Sequence, residues 1–162
     1  MNLTRGGWLI LLTVIAAFLL TLARAPVGSP EWLGWLRPGW IVLVVFFWAM
    51  AVPHRIGLIS TWIMGFFVDI VFADPLGLNG IVLTTITFFT WRFHERLRMY
   101  AVLQQAWVAA AMVLFSEGTR RLAHDQAQAW LPVTVLPAIA SMFVWPAVYL
   151  LLGKLTQRFR VE

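Results

Sequence analysis

Asp69 is an acidic residue well inside an apolar run that covers residues 56–72. A carboxylate at the centre of a bilayer costs about 2.5–3.5 kcal/mol on insertion scales, so an acid within a membrane span is a candidate functional group. At 1.5 Å per residue, Asp69 would lie only about 6 Å from the end of its helix. Three roles therefore stay open: direct binding of a partner, transport of a proton or ion, and a structural ion pair with Arg37, Arg120 or Arg121.

Small residues precede this acid on the same face of the predicted helix. Gly57, Thr61 and Gly65 lie at intervals of four before Asp69. Small side chains at this spacing let two helices approach closely. We therefore expect the helix to face protein rather than lipid, with chance as the alternative explanation in so apolar a chain.

Other residue types offer little chemistry. His54 falls in a tight turn, while His94 and His124 are predicted near opposite membrane faces, so a shared metal site is not expected. The chain has no cysteine, which excludes thiolate nucleophiles and sulfur ligands. No histidine matches the depth of a serine, and no phosphate-binding glycine loop is present. The sequence therefore predicts a protein that is not an enzyme and has no catalytic residue, cofactor or metal.

The composition indicates that lipid surrounds most of the chain. Of the 162 residues, 61% are hydrophobic and 12% are charged, whereas an average soluble domain is about 25% charged. Six apolar runs cover residues 8–22, 40–52, 56–72, 76–91, 101–115 and 131–153. Several are shorter than the roughly 20 residues that usually span a bilayer, so some helices should extend into polar flanks. We expect an all-α integral membrane protein, a single polytopic domain over residues 1–162 that forms a compact bundle of six short transmembrane helices.

Basic residues predict the orientation. With the amino terminus inside, eight of the 12 lysines and arginines lie in inner segments, as is typical of cytoplasmic loops. The inner residues are Arg5, Arg55, Arg92, Arg96, Arg98, Lys154, Arg158 and Arg160, and the outer ones are Arg24, Arg37, Arg120 and Arg121. Both termini should therefore be cytoplasmic. Because these charges are spread over the ends of the runs, membrane lipids rather than nucleic acid are the expected partners, with Arg55 meeting lipid phosphates.

Several short blocks occur in a recognisable order along the chain. They are Arg37-Pro38-Gly39-Trp40, Pro53-His54-Arg55, Gly65 to Asp69, Asp74-Pro75-Leu76-Gly77, Leu103-Gln104-Gln105-Ala106 and Trp145-Pro146 before a basic tail. In their order and spacing, these blocks resemble the MreD family of rod-shape-determining proteins over nearly the whole length. None of them is a chemical signature by itself.

The resemblance implies a role in the bacterial inner membrane, in the machinery that builds the lateral cell wall. Such a protein is expected to be a non-catalytic scaffold that binds MreC directly and reaches MreB, RodA and its partner transpeptidase through the complex. The resemblance also implies the fold of the substrate-binding subunits of energy-coupling-factor transporters. The candidate partner-binding or packing residues are Asp69, Gly65, Thr61, Gly57, Pro38, Trp40 and Arg55.

Two other classes of protein stay open. A small-molecule-binding subunit of a vitamin-type transporter is compatible with the implied fold, but the first run lacks the pair of alanines at a spacing of four that such subunits use to meet their energising partner. A lipid-modifying membrane enzyme would need a nucleophile or a pair of acids, and neither is found within the apolar runs.

Overall fold

The structure is a computed structural model, and it describes residues 7–22, 36–124 and 131–159. Within these ranges the chain is helical and contains no strand. The helices are α1 (Gly7–Leu22), α2 (Trp40–Ala51), α3 (Leu58–Phe72), α4 (Leu78–Met99), α5 (Val102–Ala123) and α6 (Leu131–Phe159). The prediction of an all-α protein is confirmed.

Three helices extend farther into polar sequence than their apolar runs. The apolar run 76–91 stops before the basic segment 92–98, but α4 continues through this segment and ends at Met99, as the expected extension into polar flanks allows. The segment contains no proline or glycine, and its arginine, glutamate and leucine residues favour a helix. Tyr100, which follows the last helical residue, has an extended backbone with ψ 143°.

The helices differ in whether they could cross a membrane alone. In the part of the chain that the structure describes, one helical segment, Thr134–Arg158, is both long and apolar enough to do so. The apolar helices α1, α2 and α3 have only 16, 12 and 15 residues. Helices α4 and α5 have 22 residues each, and both end in a basic last turn. By length and composition, the described part of the chain therefore has one candidate membrane span, in agreement with a membrane protein.

Helix α2 forms the centre of the fold. Every residue from Ile41 to Met50 is buried, as expected of a helix that is apolar on all sides. It packs against α1, α4, α5 and α6, while α3 packs mainly on α4 and α6 mainly on α5. Trp48 Nε1 also donates a hydrogen bond of 2.9 Å to Thr13 Oγ1, which fastens α1 to the central helix.

Candidate functional site at the α3–α4 turn

One face of α3 is buried, and it carries most of the small-residue stripe. Thr61, Gly65, Val68 and Asp69 are the buried residues of this helix. A Cβ atom added to Gly65 would collide with the backbone of Gly80 in α4. The two helices therefore touch backbone to backbone at this crossing, which leaves no space for a larger side chain.

The Asp69 carboxylate lies at the end of this face and is fully buried, with 0% exposure. Its Oδ2 accepts a hydrogen bond of 2.7 Å from the Gly77 N–H. Its Oδ1 accepts bonds of 2.9 and 2.8 Å from the backbone N–H and the side-chain amide of Asn79. Because the first N–H groups of a helix have no partner within the helix, the acid of α3 caps the start of α4.

The backbone of the turn brings these groups together. Ala73 ends α3 in the left-handed region with φ 53°, and Gly77 precedes α4 with φ 93°. The N–H of Asp74 donates to the carbonyl of Asp69 at 3.0 Å, which closes the end of α3. Glycine adopts the conformation at position 77 without the steric cost that a side chain would add, and Gly77 has no side chain that could cap α4 itself.

A second layer ties this turn to the end of α5. The Asp74 side chain is 5% exposed and accepts a hydrogen bond of 2.9 Å from the Asn79 side-chain amide. Its carboxylate also contacts Arg120 Nη2 at 2.9 Å and His124 Nε2 at 2.8 Å. We call Asp69, Asp74, Asn79, Arg120 and His124 the α3–α4 corner. It joins three helices through polar contacts in an otherwise apolar protein.

The expected ion pair between Asp69 and an arginine was wrong. Among the described residues, the Asp69 carboxylate bonds only to Gly77 and Asn79. Arg120 pairs with Asp74 instead, and Arg37 Nη2 donates to the Thr21 carbonyl at 3.3 Å. The physical reason is that unpaired backbone donors at the start of α4 lie within reach of the acid, and they satisfy it without an arginine having to be desolvated.

Glu117 in α5 adds to the charge around the corner and follows the apolar run 101–115. Burial raises the pKa of the Glu117 carboxyl above 4.5, the nearby Arg120 and Arg121 guanidinium groups oppose that rise, and the Asp74 charge adds to it. The acid is therefore harder to ionise than an exposed glutamate.

The remaining candidate residues lie apart from the corner. Gly57 precedes α3, and its carbonyl accepts a bond of 2.6 Å from Thr61 Oγ1. The Pro38 carbonyl accepts from the Trp40 N–H at 2.8 Å where α2 begins. Arg55 is exposed in the turn between α2 and α3. The seven candidates therefore do not form one site, and their proposed binding roles stay predictions.

Asn79 and Asp74 are the site residues that sequence reasoning missed. Asp74 entered only as part of a short block, and Asn79 was not considered. A signal was present, because Asn79 is a polar residue two positions after Gly77 in a sequence that otherwise reads as apolar. Its contact with Asp69 across the turn depends on the backbone conformation at Gly77, which composition does not reveal.

The corner holds α3, α4 and α5 together through these contacts. Its innermost carboxylate is buried and satisfied by hydrogen bonds, and over the described ranges no three histidine, aspartate or glutamate side chains are placed to hold a metal ion. The fold and the corner thus define a membrane protein that is helical over the described residues, in which a buried acid of α3 caps the neighbouring helix α4.

Comparison with known proteins identifies the family. The family model described as rod shape-determining protein MreD matches residues 4–155. The chain is 26% identical over 155 residues to the rod shape-determining protein MreD of Haemophilus influenzae, covering 91% of this chain and 90% of that protein. No solved structure matches. The chain belongs to the MreD family, which supports a role in determining rod shape.

Proposed function

We propose that the protein is a non-catalytic scaffold of the bacterial elongation machinery. It would lie in the inner membrane with several spans and both termini in the cytoplasm, and its six helices would share the fold of energy-coupling-factor substrate-binding subunits. It binds MreC directly and connects through it with MreB, RodA and its partner transpeptidase. The carrying observation is that Asp69, the acid within α3, is buried and used to cap α4.

The outer surface of the helices supports a role in membrane assembly. Large apolar side chains are exposed on α3, α4 and α6, with Ile59 77%, Ile81 63% and Phe143 76% exposed. Apolar surface of this extent favours contact with lipid or with other membrane proteins. Short helices such as α2, with 12 residues, are accommodated when neighbouring helices surround them.

Co-purification tests the partner. A tagged full-length chain in mild detergent should retain MreC, and it should not retain a radiolabelled vitamin of the kind that transporter subunits bind. Retention of the vitamin without MreC would instead support the small-molecule-binding alternative.

Thiol labelling tests the topology, because the chain has no cysteine of its own. Single cysteines at Asn2 and Glu162 should be protected from an impermeant reagent in intact cells. A single cysteine at Leu76, in the turn between α3 and α4, should be labelled. Labelling of either terminal position from outside would contradict the proposed orientation.

A further inference from the structure

A groove of about 970 Å³ lies between α1 and α3. It exists because α1 packs on α2 and α3 packs on α4, so that the two outer helices do not pack closely against each other. Its walls are mostly apolar and include Ile10, Val14 and Phe18 from α1 and Met64, Phe67 and Val71 from α3. This volume is at the upper end of the roughly 300–1,000 Å³ range of small-molecule sites.

The two ends of the groove differ in polarity. At one end the rings of Phe18 and Phe72 meet edge to face, with their centroids 6.2 Å apart. At the other end the lining includes His54, Arg55 and Ser60. No acidic side chain lines the groove among the described residues. An apolar channel with a basic mouth complements an amphiphile that has an anionic head and hydrocarbon tails.

The charge at the mouth favours a lipid over a partner helix as the occupant. A transmembrane helix usually carries lysine or arginine at its cytoplasmic end, and the basic mouth would repel these charges. A lipid phosphate complements the same mouth. From Gly7 to Phe18, the lining residues of α1 cover about 16 Å of helix at 1.5 Å per residue, which is long enough for the acyl chains of one leaflet, half of the roughly 30 Å hydrocarbon core of a bilayer.

We propose that this groove is a binding site for one anionic phospholipid. The acyl chains lie between α1 and α3, and the phosphate lies at the mouth, where Arg55 and His54 bind it. Arginine suits this role because its guanidinium makes charge-assisted hydrogen bonds to phosphate oxygens. The inference rests on the proposed membrane arrangement, in which the α2–α3 turn faces the cytoplasm, and it does not depend on MreC binding.

Native mass spectrometry of the full-length chain tests the site. The protein is reconstituted in vesicles of equal parts phosphatidylglycerol and phosphatidylcholine, extracted in mild detergent and examined for retained lipid. The wild type should keep one phosphatidylglycerol. Arg55→Gln should reduce its retention about tenfold, because a charge-assisted contact is lost, while Arg92→Gln, at an exposed arginine outside the groove, should retain it as the wild type does.

A pair of groove variants provides a second test. Ile63 lines the groove, whereas Ile59, one turn earlier on α3, does not. Ile63→Trp should displace the lipid, and Ile59→Trp should leave it bound. Equal retention of the two lipids by the wild type, or equal retention by the two tryptophan variants, would overturn the inference. Co-purification with MreC, run on the same variants expressed in cells, separates the two proposals. Loss of lipid selectivity with MreC still bound contradicts only the lipid site. Retained lipid selectivity without MreC contradicts only the scaffold.

Discussion

The two turns at the ends of α3 both place charged residues next to a proline, but they differ in whether those residues are exposed or buried. The turn before α3 contains Pro53, His54 and Arg55, and its histidine and arginine are exposed. The turn after it contains Asp74 and Pro75, and the Asp74 carboxylate is 5% exposed and bonded to two other helices. Charged residues next to a proline are thus exposed at one end of α3 and join helices at the other.

The difference follows from which helix end needs a partner. Helix α4 begins after Gly77, which has no side chain to cap it, and the buried N–H groups there would be costly to leave unpaired. Asp69 supplies the missing acceptor. Helix α3 begins after Gly57 at a less buried position, where water and lipid head groups can satisfy its first donors.

The largest loss of stability is expected where α3 crosses α4, at the contact between Gly65 and Gly80. Gly65→Ala should destabilise the protein by about 3 kcal/mol or more, because the added methyl group would collide with the Gly80 backbone rather than with a movable side chain. Gly65→Leu should prevent folding. Thermal unfolding in detergent and the yield of monodisperse protein measure both effects.

Gly118→Ala is the matched control, since nothing lies within 4 Å of the Cβ that it would add to α5. Replacing this helical glycine should be neutral, or stabilising by up to about 1 kcal/mol. If both alanine variants unfolded at the wild-type temperature, α3 and α4 would not be in backbone contact.

The sequence predicted the helices better than the contacts between them. Apolar runs located all six, but the run that forms α2 carries no pattern that distinguishes a central helix from a lipid-facing one. The burial of Asp69 as a helix cap could not be predicted, because its partners are 8 and 10 residues away across a turn with a left-handed glycine. An arginine partner was the simpler expectation, since opposite charge is visible in a sequence and a free backbone N–H is not.

A smaller loss of stability is expected at Asp74, which lies farther from the buried core than Asp69. Asp74→Asn should lower the free energy of unfolding by about 1 kcal/mol or less, because its partners Arg120 and His124 are 31% and 37% exposed. Added salt should reduce the difference from the wild type, since screening weakens exposed pairs. A loss of several kcal/mol that does not change with salt would contradict this, and it would show that Asp74 stabilises the fold as strongly as the buried Asp69.

The corner should also give a small pH dependence through Glu117. Its pKa is raised from 4.5 by burial, so the folded protein holds the Glu117 proton more tightly than the unfolded chain. This contribution to stability is therefore fully present below pH 4.5 and is lost as pH rises through the raised pKa. Glu117→Gln should lack this loss, a difference below about 1 kcal/mol in unfolding experiments at several pH values. Parallel profiles for the two proteins would contradict it.

The smallest effect on stability is expected at the exposed turn. His54→Ala should unfold within about 0.5 kcal/mol of the wild type, because substitutions at exposed positions rarely cost more. Unfolding in detergent without added phospholipid measures this. A marked loss of stability in this variant would show that the two turns do not differ as described.

Thermal unfolding of purified Asp69→Asn in detergent tests most directly the claim that the acid within α3 fastens the fold. Asparagine keeps the shape, but it replaces one acceptor oxygen with an amide donor that would face the Gly77 or Asn79 N–H. A lower unfolding temperature is therefore expected, corresponding to about 1–3 kcal/mol, with co-purification of MreC retained below that temperature. An unchanged unfolding temperature together with loss of MreC would contradict the account and make Asp69 a partner-recognition residue.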